Sequence, residues 1–119
     1  VLGATPTSTP SAARAKVAAD STSPAAGTCA TTTTGYAVIE LNADAPSPRC
    51  TIVHGGDRLR IHNATQASQT IDTGFTSATM QPGELLTLGE ELGDVWEPGV
   101  HRVNTGELYA GSGPEVWLK

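Results

Sequence analysis

Gly56-Asp57-Arg58-Leu59-Arg60-Ile61-His62-Asn63 decides how the rest of the chain is read. Leu59 and Ile61 alternate with Arg58, Arg60 and His62. A period of two puts the apolar pair on one face and the three polar side chains on the other, which is a half-buried β-strand. Gly55-Gly56 before it and Asn63-Ala64-Thr65 after it are turn chemistry. Working outward, the same grammar repeats. Tyr36–Leu41 and Cys50–Val53 read as strands on the N-terminal side, and Gln69–Asp72 as a strand on the C-terminal side. Pro82-Gly83 turns into Glu84–Leu88, Pro98-Gly99 into Val100–Asn104, and Pro114–Lys119 closes the chain as a further strand. Helical periodicity is almost absent; only Gly89–Val95 could be a helix, and a loop serves equally. Short strands at a spacing of about ten residues specify an all-β domain, a Greek-key β-sandwich.

This pattern occupies only part of the chain. Of residues 1–28, 20 are Ala, Ser, Thr or Pro, none is aromatic, and the charges are Arg14, Lys16 and Asp20. Such a stretch buries too little apolar area to offset its ordering entropy. The expectation is a disordered tail over 1–28 and a folded domain over 29–119; a short Ala-rich helix over Ser11–Asp20 is the alternative. Val1–Ala4 fits the remnant of a cleaved signal peptide. Cys29 follows Ala26-Gly27-Thr28 with no hydrophobic run before it, which does not fit a lipidated cysteine.

Cys29 and Cys50 are the only cysteines. An even count, a Ser/Thr/Pro-rich tail and few lysines point to an oxidising compartment, so the two are expected to be bridged and the protein to be secreted or extracytoplasmic. Two cysteines cannot supply a Cys-only zinc site or an iron–sulfur cluster. The chain has 119 residues and a formal net charge of -5, a balance that argues against a nucleic-acid or anionic-membrane partner, both of which call for a basic face. No apolar run is long enough to span a bilayer. The composition resembles that of a high-GC bacterial protein, and an actinobacterial source is expected. A monomer with no cofactor and an unidentified protein or envelope partner is expected.

The order of turns and strands over residues 51–119 resembles the cupredoxin-like β-sandwich. In that family a Gly-Asp introduces an alternating strand ending in Asn, here Gly56-Asp57 to Asn63. A Pro-Gly opens a later strand, here Pro82-Gly83-Glu84, and a second Pro-Gly opens the penultimate one, here Pro98-Gly99 to Asn104. An apolar strand, here Glu115–Leu118, ends the domain. The immunoglobulin-like sandwich shares this punctuation and is the alternative fold. The resemblance implies where a type-1 copper site would lie, and the residues there differ. Such a site takes a thiolate, two imidazoles and usually a weak thioether. Asn104-Thr-Gly-Glu-Leu-Tyr109 fills the stretch that would hold the thiolate, no Cys, His or Met follows His101, and Ser68 or Gln69 stands near the first histidine position. The implied domain is cupredoxin-like without those ligands.

Other candidate sites are weaker. His54, His62 and His101 could bind Zn or Cu(II) only if the fold gathers them; otherwise they are independent surface or half-buried side chains. The acidic group Glu84, Glu90, Glu91, Asp94 and Glu97 reads as a solvated edge, without Ca²⁺-loop or glycosidase spacing. No Gly-x-Ser-x-Gly elbow or phosphate-binding glycine pattern occurs, so no catalytic residues are assigned and an enzyme is not expected. Asn63-Ala64-Thr65 matches a glycosylation signal, relevant only in a eukaryotic secretory pathway. Thr33-Thr34-Gly35-Tyr36 is similar to a loop of chagasin-like protease inhibitors, although the family's order of loops is not kept. Trp117, alternating with Val116 and Leu118, is a candidate contact point if it faces outward. The leading expectation is a non-catalytic binding or scaffold module. The alternatives are an inhibitor of an extracellular hydrolase presenting loop 31–36 or 105–113, and a histidine-only metal carrier.

Overall fold

The computed structural model describes residues 15–119. Ten strands and one helical turn follow in order: β1 (Ala30–Thr31), β2 (Tyr36–Leu41), β3 (Pro46–Ser47), β4 (Cys50–Val53), β5 (Arg58–Asn63), β6 (Gln69–Asp72), β7 (Ser77–Met80), β8 (Leu85–Thr87), α1 (Leu92–Val95), β9 (Gly99–Arg102) and β10 (Glu115–Leu118). Two four-stranded sheets face each other, one ordered β1-β4-β10-β9 and the other β3-β2-β5-β8; β6 and β7 form a separate hairpin. Both sheets are mixed. β10 runs parallel to β4 and antiparallel to β9, and β5 runs parallel to β2 and antiparallel to β8.

The alternation of β5 is realised in this packing. Leu59 and Ile61 are fully buried, and the parallel register aligns them with Ala37 and Ile39 of β2. Val53, Val116 and Leu118 face them from the other sheet, and Ile71, Met80, Leu92 and Trp96 close the sides of one continuous core. Each fully buried aliphatic side chain contributes about 1.5–3 kcal/mol relative to exposure. The outward face of β2, β5 and β8 carries Arg60 over the Tyr36 ring at 4.2 Å, with Val38 49% and Leu85 54% exposed.

Three strands depart from the expectation. β1 and β3 are two-residue pairings too short to leave a pattern, and β7, Ser-Ala-Thr-Met, lacks the β-branched and aromatic enrichment that marks a strand. It forms because Met80 is buried and because antiparallel pairing with β6 supplies its partners. The 89–95 segment resolves into the single turn α1, whose Gly93 N–H donates to Gly55 O at 2.9 Å.

The boundary at residue 28 needs correction. Residues 1–14, with the proposed signal remnant, lie outside the described residues. Residues 15–28 form no helix and no free tail; they run as a strap across the β9-β10-β4 side of the first sheet. Val17 N–H donates to Val95 O, and Glu97 N–H returns a bond to Val17 O. Asp20 N–H donates to Val100 O, Val100 N–H donates to Ser21 O, and the Asp20 carboxylate accepts Arg102 N–H at 2.6 Å. Val17 packs on Gly74 and Ala19 on Gly99, each so close that a side chain at the glycine would meet the strap. A segment with almost no apolar area is ordered because an existing sheet edge and glycine-lined contacts receive it. The Cys29–Cys50 disulfide, expected from the sequence, anchors its far end with a Cα–Cα distance of 4.6 Å.

Candidate functional site

The strap meets two loops at one end of the sandwich. Cys50 begins β4, Glu115 begins β10, and Arg102 ends β9, so register alone brings these residues side by side: Glu115 pairs with Cys50 on one flank and Arg102 on the other. Val116 and Leu118 point into the core, which turns Glu115 and Trp117 outward. Outward there means under the strap. Glu115 is only 5% exposed, and its two carboxylate oxygens accept the N–H groups of Ala25 and Ala26 at 3.0 and 2.9 Å. The carboxylate is desolvated but fully bonded, which is the condition for tolerating it there.

Residues 103–114 form the prominent loop of this end. Val103 N–H donates to Pro114 O across its base, and Ser112 N–H donates to Tyr109 O within it. Gly113 has no alternative, because a Cβ there would fall on the Val103 carbonyl oxygen. The Tyr109 hydroxyl donates to Asn42 O at 2.6 Å and ties the loop to the end of β2. Burial pushes the Tyr109 pKa above its ordinary 10.0, and backbone hydrogen bonding at Asn42 opposes that only in part.

Two clefts that also take in strap residues flank the loop. The first, about 270 Å³, is lined by Val17 and Asp20 of the strap with Asp72, His101, Asn104 and Thr105. The second, about 300 Å³, lies between strap residues Ala25–Ala26, the Asp44–Arg49 segment and the loop, with Arg49, Arg102, Tyr109 and Glu115 in its walls. Arg102 and Gly113 belong to both.

The places where the resemblance would put a type-1 copper hold hydrogen-bonded amides and hydroxyls. Asn104 exchanges backbone bonds with Asp72, and its Oδ1 accepts Gly106 N–H at 2.8 Å. Ser68 Oγ donates to Gln81 Oε1, and Gln69 Nε2 donates to Thr65 Oγ1. Both cysteine sulfurs are in the disulfide, and the single Met, Met80, is buried in the core. This donor set does not fit a type-1 copper.

The three histidines are not brought together. His54 sits 68% exposed in the turn after β4, with Nδ1 3.8 Å from Asp57. His62 lies on the outward face of β5, 3.3 Å from Glu40 of the paired strand. His101 departs from the surface expectation. It is 2% exposed, stacked on Trp96 with ring centroids 4.3 Å apart and planes 3° apart, and Nε2 donates to Glu97 O. Among the described residues no group of three or more His, Cys, Asp or Glu is placed to hold a metal ion. Trp117 faces outward, half-buried, with the Lys119 ammonium 4.0 Å from its ring centre. Trp96 is the core tryptophan; its Nε1 donates to Thr73 O at 2.9 Å.

Two further sequence features also find their places. Asn63 is fully buried, and Nδ2 donates to both Ala67 O and Met80 O, so the folded protein offers no glycosylation acceptor there. Of the acidic group, Glu91 pairs with Arg58 at 3.3 Å, and Glu84 accepts Gln81 N–H; Glu90, Asp94 and Glu97 stand exposed at the surface. Loops 31–36 and 105–113 lie at opposite ends of the sandwich, because β1 runs parallel to β4 and leads away from Cys50. The clefts themselves carry no sequence signal. Arg49, Arg102 and Tyr109 are scattered along the chain, and only pairing register collects them. A polar residue in front of an apolar closing strand, Glu115 before Val-Trp-Leu, was the one local hint.

No family model and no curated protein matches this sequence. Among solved structures the chain is similar to a novel purple cupredoxin from Nitrosopumilus maritimus, with a TM-score of 0.51 and 14% sequence identity over 70% of this chain and 99% of that one. The likeness shows the fold: an all-β, cupredoxin-like β-sandwich rather than an immunoglobulin-like one. Among the described residues no helix is long and apolar enough to cross a membrane.

Proposed function

We propose that this chain is a non-catalytic binding module of an actinobacterial envelope or secretome, built on a cupredoxin-like frame without type-1 copper. It presents the 103–114 loop and its two flanking clefts to a partner. The observation that carries this reading is the state of the loop. The stretch that would supply copper ligands is instead a chain of tight turns clamped to Asn42, Asp72 and the base of the sheet. The sulfurs are committed to the disulfide, which fits an oxidising compartment. The polar groups best suited to chemistry are also committed: Glu115 to the strap and His101 to Glu97 O.

Incubating the oxidised protein with Cu(II) tests the copper part, with an expected absence of any intense visible thiolate-to-copper band. A strong band overturns the reading. The binding part is tested by capture from the native secretome on immobilised protein. Capture is expected to fail for Glu107→Lys, a charge reversal on the exposed loop; capture that survives it moves the contact surface elsewhere.

A further inference from the structure

We infer that the cleft between the strap and the 103–114 loop binds a small carboxylate ligand through Arg49 and Arg102. The inference rests on the reading of this end as a binding surface and names the ligand class.

The two arginines flank Glu115 from either side. Glu115 N–H donates to Arg49 O at 2.8 Å, and Glu115 is the register partner of Arg102. Adjacent strands are spaced by about 4.8 Å, so the two arginine backbones stand roughly 10 Å apart. A carboxylate between two arginines would ordinarily neutralise them. Glu115 makes no ion pair with either, because both of its oxygens are taken by Ala25 and Ala26 N–H. Among the described residues neither guanidinium has an ion pair or a hydrogen-bond acceptor. The other two arginines among the described residues are occupied: Arg58 by Glu91 and Gly89 O, and Arg60 by Thr87 and the Tyr36 ring. A protein with 12 acidic and 7 basic residues therefore leaves two exposed cations uncommitted on one concave surface.

Guanidinium is the side chain that grips a carboxylate in a planar, two-bond fork. The remaining walls refine the ligand. Asp44 lines the same cleft with no partner among the described residues, and so favours a ligand that also carries a hydroxyl or ammonium donor. Ala45, Pro46 and the Tyr109 ring supply apolar wall, and Ser112 a further polar one. A volume of about 300 Å³ lies at the small end of ligand pockets, which suits a single sugar acid or amino acid, free or as the end of a polymer.

The test is an amide NMR titration of the oxidised full chain with galacturonate, glutamate and acetate, at constant ionic strength with NaCl as the control. Saturable shifts confined to the amides of Ala25, Ala26, Arg102, Ser112 and Gly113 are expected. Affinity should fall at least tenfold in the Arg49→Gln/Arg102→Gln variant, whose side chains are exposed and outside the core. Galacturonate or glutamate should exceed acetate, and Asp44→Asn should erase that preference; the better of the two identifies a hydroxyl or an ammonium as the donor. Shifts that match NaCl, or saturable binding that survives in the double variant, overturn the inference. Those outcomes without a copper band remove this ligand but leave the binding-module reading in place; a copper band removes that reading itself.

Discussion

Glu115→Gln is the perturbation that most directly tests how the strap is held. The native carboxylate accepts two backbone N–H groups at 3.0 and 2.9 Å while 5% exposed. Hydrogen bonds to a charged group contribute about 1.5–3 kcal/mol each, and neutral ones about 1 kcal/mol. Glutamine keeps one acceptor oxygen and turns an NH₂ toward the second N–H, so one weakened bond remains of two strong ones. Ala25 and Ala26 are exposed on their far side and regain water when released, which places the net loss at about 2–3 kcal/mol. At about 1.4 kcal/mol per tenfold, strap opening becomes about 30- to 150-fold more frequent. Amide hydrogen exchange reads this residue by residue. Ala25 and Ala26 should lose protection by that factor, with Asp20 and Ser21 following less, because their bonds to Val100 persist. The amides of Leu59 and Ile61, fully buried, should remain far better protected than those of the strap, because they exchange only when the whole sandwich opens. Exchange at Ala25 and Ala26 within about threefold of the parent, or strap amides protected as strongly as those of β5, would refute the idea of a locally releasable strap.

Three further outcomes are expected. Replacing both Cys29 and Cys50 with Ser opens a loop of sequence separation 21, and should lower stability by about 3 kcal/mol in denaturant unfolding; a loss below about 1 kcal/mol would mean the unfolded chain is already constrained. Trp96→Phe removes the bond to the buried Thr73 carbonyl and shrinks the stack on His101, at a cost of about 2–4 kcal/mol in the same assay; a near-neutral result would show that the stack and bond are dispensable. Tyr109 has a raised folded pKa, so the folded state holds its proton more tightly. Its contribution is complete below pH 10.0 and is lost as pH rises from there through the folded value. Denaturation midpoints at about pH 9 and about pH 11 should show this loss in the parent and less of it in Tyr109→Phe; equal slopes would contradict it.

Much of the fold could be read from particular residues. The alternation at 58–62 gave the face of β5, the Pro-Gly pairs placed the openings of β8 and β9, and the two cysteines named their own bridge. These signals are local, and each is enforced by burial or by turn geometry. The strap was not legible. Its sequence is that of a linker, and its order comes from partners far along the chain: Val100, Arg102 and Glu115. Ser77–Met80 escaped notice for a related reason, since pairing with β6 rather than propensity makes it a strand. The histidines illustrate the converse. Spacing could not say that His101 turns inward onto Trp96 while His62 turns outward to Glu40; register decides both. The cleft arginines stand on different strands, and no window of sequence contains them together.

The place of β10 in its sheet also sets an order of events. It lies between β4 and β9, both of which precede it in the chain, and joins them. In a polypeptide growing from its amino end, Cys50–Val53 must wait without its central neighbour until residues 115–118 arrive. Half of the sandwich therefore cannot close early, and pairing across so long a separation is slow. The first sheet should stay open until β10 slots between two strands that have been waiting for it.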